Sequence, residues 1–483
     1  MKLLSELLSK ITILSVHGST EREVSSIEND SRVCTKNSLF VAIRGTTTND
    51  GHSFIEKAIE NGAGTIVCEN LPKVLRANCT YVCVTDTREA VAHLSNSFYN
   101  YPSKSLRIIG VTGTNGKTTI TYLLKQLLET NGEKVGLIGT TGNMIGNQLL
   151  PTNYTTPEAP ELYRLLDKMI AESITTVVVE VSSHALILKR VLGIRFTAAL
   201  FTNLTHDHLD FHGSMEEYAL AKKILFNSLD DNGIAVLNGE SKYAHFLTQH
   251  TVAKTYYCGR HSESDFRIED EQFSTSLTTF KLNNDEYKTP LFGKFNVDNI
   301  SLCIALCELF GMDKRLISDV LSSIHGAPGR MERHQLSNGG IVIIDYAHTP
   351  DALKNALLAC KELMTYRQRL TVIFGCGGNR DISKRSEMGR IAEKYADAII
   401  LTNDNPRLEQ PQKIIGDILS GISDVQTVGI IPNRSEAIST RLATANSNDV
   451  VMIAGKGHET YQIIGSERVY FSDRDEVLKY CNE

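Results

Sequence analysis

The stretch that most constrains the fold runs from residue 106 to 130, where a glycine-rich loop separates an apolar segment from an amphipathic one. LRIIGVT, residues 106–112, is typical of a buried β-strand, and KTTITYLLKQLLET, residues 117–130, is typical of a helix. The apolar stripe of that helix consists of Ile120, Leu123, Leu124, Leu127 and Leu128. A strand followed by a glycine loop and a helix favours a mostly parallel α/β sheet with helices on its faces.

The glycine loop predicts a phosphate site. Backbone N–H groups and the N-terminus of the helix can hold phosphate oxygens, Lys117 would meet the terminal phosphates, and Thr118 would bind a magnesium ion. Glycines at 110, 113 and 116 depart from the strict G-x-x-x-x-G-K spacing, so the alternative is a plain glycine turn. The predicted nucleotide contacts in this stretch are Thr112, Gly113, Thr114, Asn115, Gly116, Lys117 and Thr118.

The length of the chain suggests several domains. At 483 residues it has room for about three domains of roughly 150 residues each. We predict α/β units at residues 1–103, 104–332 and 333–483, with a linker at Tyr101-Pro102-Ser103 and a second boundary near Pro328–Arg333. Residues 251–295 are expected to add antiparallel strands. Several β runs end in polar loops, and open α/β sheets bind ligands at the carboxyl ends of their strands.

Charge and composition exclude some classes of protein. Lys plus Arg (50) nearly balances Asp plus Glu (56), and the net charge of −6 argues against broad binding to nucleic acid or anionic membranes. The apolar fraction of 41% is ordinary for a globular protein, and no apolar run approaches the ~20 residues of a membrane span. Ten scattered cysteines without a CxxC pair indicate reduced thiols in the cytoplasm.

An acidic and histidine-rich loop follows another predicted strand. TNLTHDHLDFHGS, residues 202–214, contains His206, Asp207, His208, Asp210 and His212. It resembles the HxHxDH zinc run of metallo-β-lactamase-type hydrolases, but the last histidine comes one residue too late and a phosphate loop is foreign to that fold. Zinc is therefore the second choice, after a magnesium site that combines few protein oxygens with phosphate.

Two charged residues lie in apolar surroundings. Glu180 ends the apolar run TTVVVEVSS, and because an unpaired buried charge is costly, a functional carboxylate is favoured over a structural one. Lys222 shares a helical face with Tyr218, Leu225 and Leu229, after a capping box formed by Ser214 and Glu217. From spacing alone we expect Lys222 to extend to water, and the alternative is an amine made less basic by burial.

The arginine of LTNDNPR, residues 401–407, has two interpretations. Pro406 ends a predicted strand, so Arg407 can be a solvated surface charge, and without other motifs that interpretation is favoured. The alternative is a guanidinium that binds an anionic group bidentately. The other motifs of the chain decide between them.

Taken together, the motifs of the chain resemble those of the Mur ligase family, which comprises ATP-dependent amide-forming enzymes of cell-wall synthesis. The motifs occur in order over nearly the whole sequence. They are NDSR (29–32) with DGH (50–52), GTNGKTT (113–119), NYTTPE (153–158), EVSSHAL (180–186), HDHLDFHG (206–213), GKFNVDN (293–299), PGRME (328–332), DYAHTPDAL (345–353), FGCGGNRD (374–381), DNPR (404–407) and GKGHE (455–459).

The resemblance implies a reaction and a domain plan. The N-terminal domain would hold a UDP group, the central domain would be the ATPase, and a Rossmann-like C-terminal domain would bind an amino acid. DNPR implies that ATP is used to add meso-2,6-diaminopimelate to the D-glutamate γ-carboxylate of UDP-N-acetylmuramoyl-L-alanyl-D-glutamate through an acyl phosphate. The alternatives are a lysine-adding or folylpolyglutamate-type ligase, a P-loop ATPase that drives conformational change, and a zinc hydrolase.

The resemblance also assigns roles to individual residues. Lys117, His208 and Lys222 are implied in catalysis, with Lys222 carbamoylated beside a second magnesium ion. The implied magnesium ligands are Thr118, Glu180, His208 and Lys222, and the further nucleotide contacts are Asn296, Asn299, Arg330 and Asp345. The implied contacts to the UDP-muramoyl peptide are Ser31, Thr155, Thr156, Ser182 and Arg190, and those to the amino acid are Arg380, Asp404, Asn405, Pro406, Arg407, Gly455 and Glu459.

Three further expectations follow from the same resemblance. Leu188 replaces a glutamine that some relatives carry two positions before the matched arginine, so one substrate hydrogen bond is lost or made elsewhere. Glu459 is the candidate to receive the distal ammonium of diaminopimelate. The implied partners are small molecules alone, without nucleic acid or membrane insertion, and the protein is expected to be a cytoplasmic monomer.

Overall fold

Three α/β units follow one another along the chain in the computed structural model, which describes residues 1–45, 50–274 and 277–481. The N-terminal unit has a sheet of order β2-β7-β6-β5-β4, in which β2 is antiparallel to β7 and the other pairs are parallel. Its elements are β1 (Lys2–Leu3), α1 (Leu4–Leu8), β2 (Ile13–His17), β3 (Glu23–Val24), β4 (Ser26–Glu28), β5 (Ser38–Val41), α2 (Ile55–Glu60), β6 (Ala63–Cys68), β7 (Thr80–Val84) and α3 (Thr87–Phe98).

The central unit contains the long sheet β11-β10-β9-β12-β8-β13-β14-β15-β16-β17-β18. Strands β9 to β16 in that order are parallel, and both edges are antiparallel. Its elements are β8 (Arg107–Thr112), α4 (Lys117–Thr130), β9 (Val135–Gly139), β10 (Gly142–Ile145), β11 (Gln148–Leu150), α5 (Ala159–Ala171), β12 (Thr176–Glu180), α6 (Ser183–Ile187), β13 (Ala198–Phe201), α7 (Leu209–His212), α8 (Met215–Asn227), β14 (Ile234–Asn238), α9 (Ala244–Thr248), β15 (Lys254–Gly259), β16 (Phe266–Phe273), β17 (Thr278–Leu282), β18 (Asp285–Thr289), α10 (Lys294–Leu309) and α11 (Lys314–Ser323).

The C-terminal unit has the sheet order β19-β20-β24-β21-β22-β23, parallel except for the edge strand β19. Its elements are β19 (Glu332–Gln335), β20 (Ile341–Asp345), α12 (Pro350–Leu363), β21 (Arg369–Phe374), α13 (Ser383–Tyr395), β22 (Ala398–Leu401), α14 (Pro411–Leu419), β23 (Val428–Ile430), α15 (Arg434–Ala443), β24 (Asp449–Ala454), β25 (Tyr461–Ile464), β26 (Glu467–Tyr470) and α16 (Asp473–Leu478). Within the described ranges, no helix combines the length and apolar character that crossing a membrane requires.

Two sequence predictions are confirmed by these elements. Helix α4 has the predicted bounds, and all members of its apolar stripe are buried because they face the central sheet. Strands β16, β17 and β18 supply the antiparallel pairs expected in residues 251–295. The predicted unit boundaries after residues 103 and 332 stay predictions.

The segment predicted as the first linker is packed against its neighbours rather than exposed. Pro102 and Ser103 are buried in a short 3-10 turn, Pro102–Lys104, that packs against α5. The apolar cluster there is continuous, with Val67 and Val82 of the N-terminal sheet in the same core as Tyr163 of α5. A proline and polar residues therefore mark a packed turn here, because the two units share one core.

A fully buried ion pair connects the last helix to the C-terminal sheet. Arg434 donates to both carboxylate oxygens of Asp473 at 2.7 and 2.8 Å, and neither side chain is exposed. Arg434 also donates to the carbonyl of Ala454, at the end of β24. The pair thus connects α15, α16 and the strand that leads into the GKGHE loop.

We expect Asp473→Asn to lower the free energy of unfolding by about 3–5 kcal/mol, because it leaves the buried guanidinium of Arg434 without its counter-charge. Chemical denaturation measures the loss. The matched control is Glu476→Gln on the same helix, which removes a pair with the solvent-exposed Lys479 and should change stability by less than about 1 kcal/mol. Equal effects of the two substitutions would contradict this account of the buried pair.

Candidate active site

The glycine loop after β8 is held between the ends of two parallel strands. Thr114 and Asn115 donate their backbone N–H groups to the backbone and side-chain oxygens of Asn203, at 2.9 and 3.0 Å. Gly113 has φ +149°, and a Cβ atom there would lie 1.8 Å from the hydroxyl oxygen of Thr202. In the described part of the chain no side chain caps α4, so its N-terminal N–H groups are available to an anion.

Lys117, the first residue of α4, folds back over this loop. Its ammonium donates to the carbonyl oxygens of Gly113 and Thr114, both at 2.8 Å. Burial lowers the pKa of Lys117, whereas the nearby carboxylates of Glu180 and Asp207 act in the opposite direction. A half-buried lysine that folds over the loop is compatible with the predicted phosphate site, where its ammonium would meet phosphate oxygens.

Glu180 is the fully buried last residue of β12 and lies beside the same loop. Its carboxylate accepts hydrogen bonds from the hydroxyl of Thr118 at 3.1 Å and from the N–H and hydroxyl of Thr140 at 2.9 and 3.0 Å. No Lys, Arg or His nitrogen of the described chain comes within 4.0 Å of it, so its charge lacks a paired cation. A buried carboxylate and a hydroxyl in this state fit a divalent cation such as Mg²⁺, which prefers oxygen ligands.

Lys222 projects from α8 to the opposite side of the loop. It is 1% exposed, donates to the carbonyl of Gly113 at 2.9 Å, and lies 4.5 Å from the ring centre of Tyr218. Burial, followed by the neighbouring Lys117, holds the pKa of Lys222 well below its usual range. The expectation from spacing that Lys222 reaches water was wrong, because the glycine loop covers the apolar face of α8.

The histidine-rich loop separates into an exposed and a buried part. His206, His208 and Asp210 are exposed, and His208 has the left-handed φ of +54° at the N-terminus of α7. His212 is buried, with Nε2 at 2.9 Å from the hydroxyl of Ser183, and burial lowers its pKa to about 4. The residues that the structure describes contain no group of three or more His, Cys, Asp or Glu side chains placed to hold a metal ion, so a zinc ligand set is not assembled among them.

A cavity of about 360 Å³ lies between the glycine loop and the C-terminal unit. It is bounded by loops at the carboxyl ends of β8, β13 and β20, which is where open α/β sheets bind ligands. The predicted nucleotide contacts that line it are Asn115, Gly116, Asn296, Asn299, Arg330 and Asp345. Thr112 ends β8 and is fully buried beneath the loop.

Arg330 reaches the phosphate loop from the segment that leads into the C-terminal unit. Its Nη2 donates to the hydroxyl of Thr118 at 3.3 Å, and its guanidinium lies 4.4 Å from the ring centre of Tyr346. The preceding residue, Gly329, packs directly on the backbone of the GKGHE loop: a Cβ atom at Gly329 would lie 2.1 Å from the N atom of His458. One short segment therefore contacts both the nucleotide site and a loop of the C-terminal unit.

The predicted contacts to the UDP-muramoyl peptide lie on the other side of Glu180, away from the cavity. Thr156 donates to the carbonyl of Glu180 at 2.7 Å and to the hydroxyl of Ser182 at 3.3 Å, and Thr155 is 3.0 Å from the hydroxyl of Thr140. Arg190 donates to the carbonyl of Thr156 and pairs with Glu158. Leu188, at the departure from the family pattern, is half-buried, and Ser31 is buried in a 3-10 turn of the N-terminal unit.

The predicted amino-acid contacts come together at the carboxyl ends of β21, β22 and β24. Arg407 is half-buried with φ +52°, and its Nη1 donates to the carbonyl of Gly378 at 2.8 Å. Asp404 is 8% exposed and its Oδ2 would lie 2.7 Å from a Cβ atom at Gly455, whose φ is +115°. Arg380 is exposed. A freely solvated Arg407 is thus not what the structure shows.

Two charges in this group lack partners of opposite sign. Along the described chain, no carboxylate lies within 4.0 Å of the Arg407 guanidinium and no cationic nitrogen lies within 4.0 Å of the Asp404 carboxylate. Glu459, in contrast, accepts from Asn405 and from Lys456, both at 3.0 Å. The arrangement suits a ligand that brings an anion to Arg407 and a cation to Asp404.

Sequence reasoning missed Lys456 and Thr140. Lys456 is fully buried and donates to Glu459 and to the side-chain oxygen of Asn405. The signal for it was present, because Lys456 stands inside the GKGHE motif between the two residues that were singled out. Thr140 had no comparable signal, since its contact with Glu180 depends on the pairing of β9 with β12.

Comparisons with known proteins agree with this arrangement over the whole chain. The family models that match are described as "Mur ligase family, catalytic domain" at residues 23–99, "Mur ligase middle domain" at 111–307 and "Mur ligase, glutamate ligase domain" at 329–457. A protein of Phocaeicola vulgatus named UDP-N-acetylmuramoyl-L-alanyl-D-glutamate–2,6-diaminopimelate ligase is 41% identical over 99% of this chain and 100% of its own.

Further relatives and solved structures are similar to this chain over nearly its whole length. The protein of that name from Geobacillus kaustophilus is 41% identical over 98% of each chain. A solved structure of a protein with that name has a TM-score of 0.70 and 33% identity, covering 99% of this chain and 98% of its own. A MurF from Acinetobacter baumannii, 17% identical with a TM-score of 0.66 over 93% of this chain and 94% of its own, shares the fold.

We expect Gly113→Ala to abolish nucleotide binding, because the new methyl group would collide with Thr202 and displace the loop. Calorimetric titration with ADP measures the effect. Gly132→Ala is the matched control, since Gly132 also has a positive φ, of +87°, but a Cβ atom there meets nothing within 4 Å. Undiminished ADP binding by the Gly113→Ala protein would contradict the assignment of the loop.

Proposed function

The chain belongs to the Mur ligase family, and we propose that it joins meso-2,6-diaminopimelate to the D-glutamate γ-carboxylate of UDP-N-acetylmuramoyl-L-alanyl-D-glutamate with ATP. The names of its full-length relatives support this activity. The structural observation that carries it is the pair of unpartnered charges on Arg407 and Asp404 beside the end of β22. Those charges match the carboxylate and ammonium of a diamino diacid.

An amide does not form from a carboxylate and an amine until the carboxylate carries a better leaving group. Phosphorylation supplies one: a carboxylate oxygen attacks the γ-phosphorus of ATP, the bond to ADP breaks, and an acyl phosphate results. The neutral amine of diaminopimelate then attacks the carbonyl carbon. The tetrahedral species collapses with loss of phosphate and a proton, and the amide remains.

The residues around the glycine loop have the roles that phosphoryl transfer requires, which are positioning and charge neutralisation. In our proposal Lys117 moves its ammonium from the loop carbonyls to the phosphate oxygens, and Arg330 adds a second positive charge from the other side of Thr118. Thr118, Glu180 and His208 would hold Mg²⁺. When bound, that ion supplies screening between the substrate carboxylate and the γ-phosphate.

Lys222 is proposed to carry a carbamate. Burial holds its pKa well below the usual value, which favours the neutral amine that attacks CO₂ and then loses a proton. The resulting anion would stand next to the carbonyl of Gly113, at the phosphate loop. Full activity of a Lys222→Ala protein would show that Lys222 has no catalytic role.

The two carboxyl-containing substrates are proposed to approach the loop from different units. Ser31 would contact the UDP group, and Thr155, Thr156, Ser182 and Arg190 would contact the muramoyl peptide beside Glu180. Arg380, Asp404, Asn405, Pro406, Arg407, Gly455 and Glu459 would hold diaminopimelate. The competing interpretation is a lysine-adding ligase. Lysine has no distal carboxylate, so its binding would leave the Arg407 guanidinium without an anionic partner.

The cellular location, the partners and the oligomeric state of the enzyme are proposed from its composition and from its relatives. The small-molecule substrates are those of the ligase, and we place the enzyme in the cytoplasm because its ten cysteines are free thiols, most of them buried. The net charge of −6 supports the absence of nucleic-acid binding. We expect a monomer in solution.

The proposed function is tested by a product assay with ATP and the UDP-muramoyl dipeptide, offering diaminopimelate and lysine in equal amounts. We expect the UDP-muramoyl tripeptide to contain diaminopimelate, with one ADP and one phosphate formed per amide, as mass spectrometry and a coupled phosphate assay report. Equal incorporation of lysine would overturn the proposal.

We expect Arg407→Gln to lower kcat/KM for diaminopimelate by about 10- to 100-fold, because a charge-assisted hydrogen bond to the distal carboxylate is lost. The KM values for ATP and the UDP-muramoyl dipeptide should stay unchanged. Arg390→Gln, which removes an exposed arginine of α13, is the control and should leave all constants as they are. Equal losses for all three substrates would argue against a role in selecting the amino acid.

A further inference from the structure

Lys456 is the one residue of the GKGHE loop whose side chain is completely enclosed although it is charged. It follows β24, is 0% exposed, and its ammonium has two polar contacts: Glu459 Oε2 at 3.0 Å and Asn405 Oδ1 at 3.3 Å. It also lies 5.4 Å from the ring centre of Tyr461. Both of its polar partners belong to the set proposed to hold diaminopimelate, and Lys456 itself is not among the contacts matched from the family.

Lys456 is one of three partners that together fix the orientation of the Asn405 amide. Its Oδ1 accepts from Lys456 and from the backbone N–H of Ile463 at 3.0 Å, and its Nδ2 donates to Glu459 Oε2 at 3.0 Å. With the oxygen occupied by two donors, the amide presents its remaining N–H to a ligand. Lys456 thereby supports, together with Ile463 and Glu459, the orientation in which Asn405 offers an N–H group.

The contact with Lys456 also neutralises Glu459. The distal pocket, defined as Asp404, Asn405, Arg407, Lys456 and Glu459, contains two carboxylates and two cations, and their formal charges cancel. Arg434 and Asp473, which lie behind this pocket, cancel each other. Two further cations, Arg380 and Arg468, are exposed and therefore screened by water, and Arg468 stacks on the outer face of Tyr461.

A neutral pocket matches a neutral ligand group. The far end of diaminopimelate is a zwitterion with one ammonium and one carboxylate, whereas the far end of lysine is a single ammonium. Lys456 and Asn405 both bond Glu459 Oε2, so the ammonium of the zwitterion can be received by Asp404 and by Glu459 Oε1, and its carboxylate by Arg407. The expectation that Glu459 receives the distal ammonium stays a prediction.

We propose that Lys456 is a specificity-determining positioning residue: by pairing with Glu459 and orienting Asn405, it keeps the distal pocket neutral and thus selective for a zwitterionic end over a cationic one. The proposal rests on the proposed function. Without Lys456 the pocket has one excess negative charge, which suits lysine and leaves a buried carboxylate unpaired.

The test measures kcat and KM for diaminopimelate and for lysine in the full-length enzyme. Lys456→Met should raise the KM for diaminopimelate by about 100-fold, the size expected when a buried carboxylate loses its cation, with a smaller change in kcat. The ratio of the two kcat/KM values should shift towards lysine by about 10-fold or more, if the excess charge acts as described. The KM values for ATP and the UDP-muramoyl dipeptide should not change.

Charge restoration separates this role from a structural one. Lys456→Met/Glu459→Gln removes both charges, returns the pocket to neutrality, and should recover most of the preference for diaminopimelate. Lys125→Met is the matched control, because it removes another buried lysine, paired with Glu129 in α4, and should leave the preference unchanged. If the single Lys456 variant fails to fold, the double variant carries the test by itself.

Two results would overturn the proposal. One is an unchanged ratio of diaminopimelate to lysine use in Lys456→Met, and the other is a double variant that has lost the preference. The unmodified enzyme is assayed alongside the variants. If it prefers diaminopimelate while the variants give either of these results, the proposed function is retained and only the role of Lys456 is rejected.

Discussion

The cost of a buried charge without a counter-charge organises this molecule. Where both partners are supplied by the chain, as with Arg434 and Asp473, the pair connects helices to a sheet. At Glu180, Asp404 and Arg407 the described residues supply no partner of opposite charge, and these are the positions that we propose as binding sites. The same physical rule thus distinguishes the structural charges of this fold from those proposed to receive a metal ion or a substrate.

Parallel strands bring site residues that are distant in sequence together. The central and C-terminal sheets are mostly parallel, and the loops at the carboxyl ends of β8, β13 and β20 border the same cavity. Thr118 follows β8, Glu180 ends β12, and Arg330 enters from the segment before the last unit, yet Thr118 is within hydrogen-bond distance of both. The fold thus brings three separate segments together at the proposed phosphate site.

Much of the fold was predictable from the sequence because local patterns decided it. The bounds of α4 follow from the glycine loop and from an apolar period of 3.6 residues, and the grouping of site residues follows from motifs at strand ends. What failed depends on long-range packing. Pro102 and Ser103 are buried because two units share a core, and Lys222 is enclosed by a loop more than a hundred residues away in sequence. The partnership of Lys456 with Asn405 likewise joins separate strands, so no local pattern contains it.

The close packing of Gly329 under the GKGHE loop has a mechanical consequence. The backbones of Gly329 and His458 are in direct contact, so no side chain fits between the two segments. A displacement of the GKGHE loop towards position 329 would therefore press on the segment that contains Arg330. The contact links the loop proposed to hold the amino acid to the residue proposed to neutralise charge on the nucleotide.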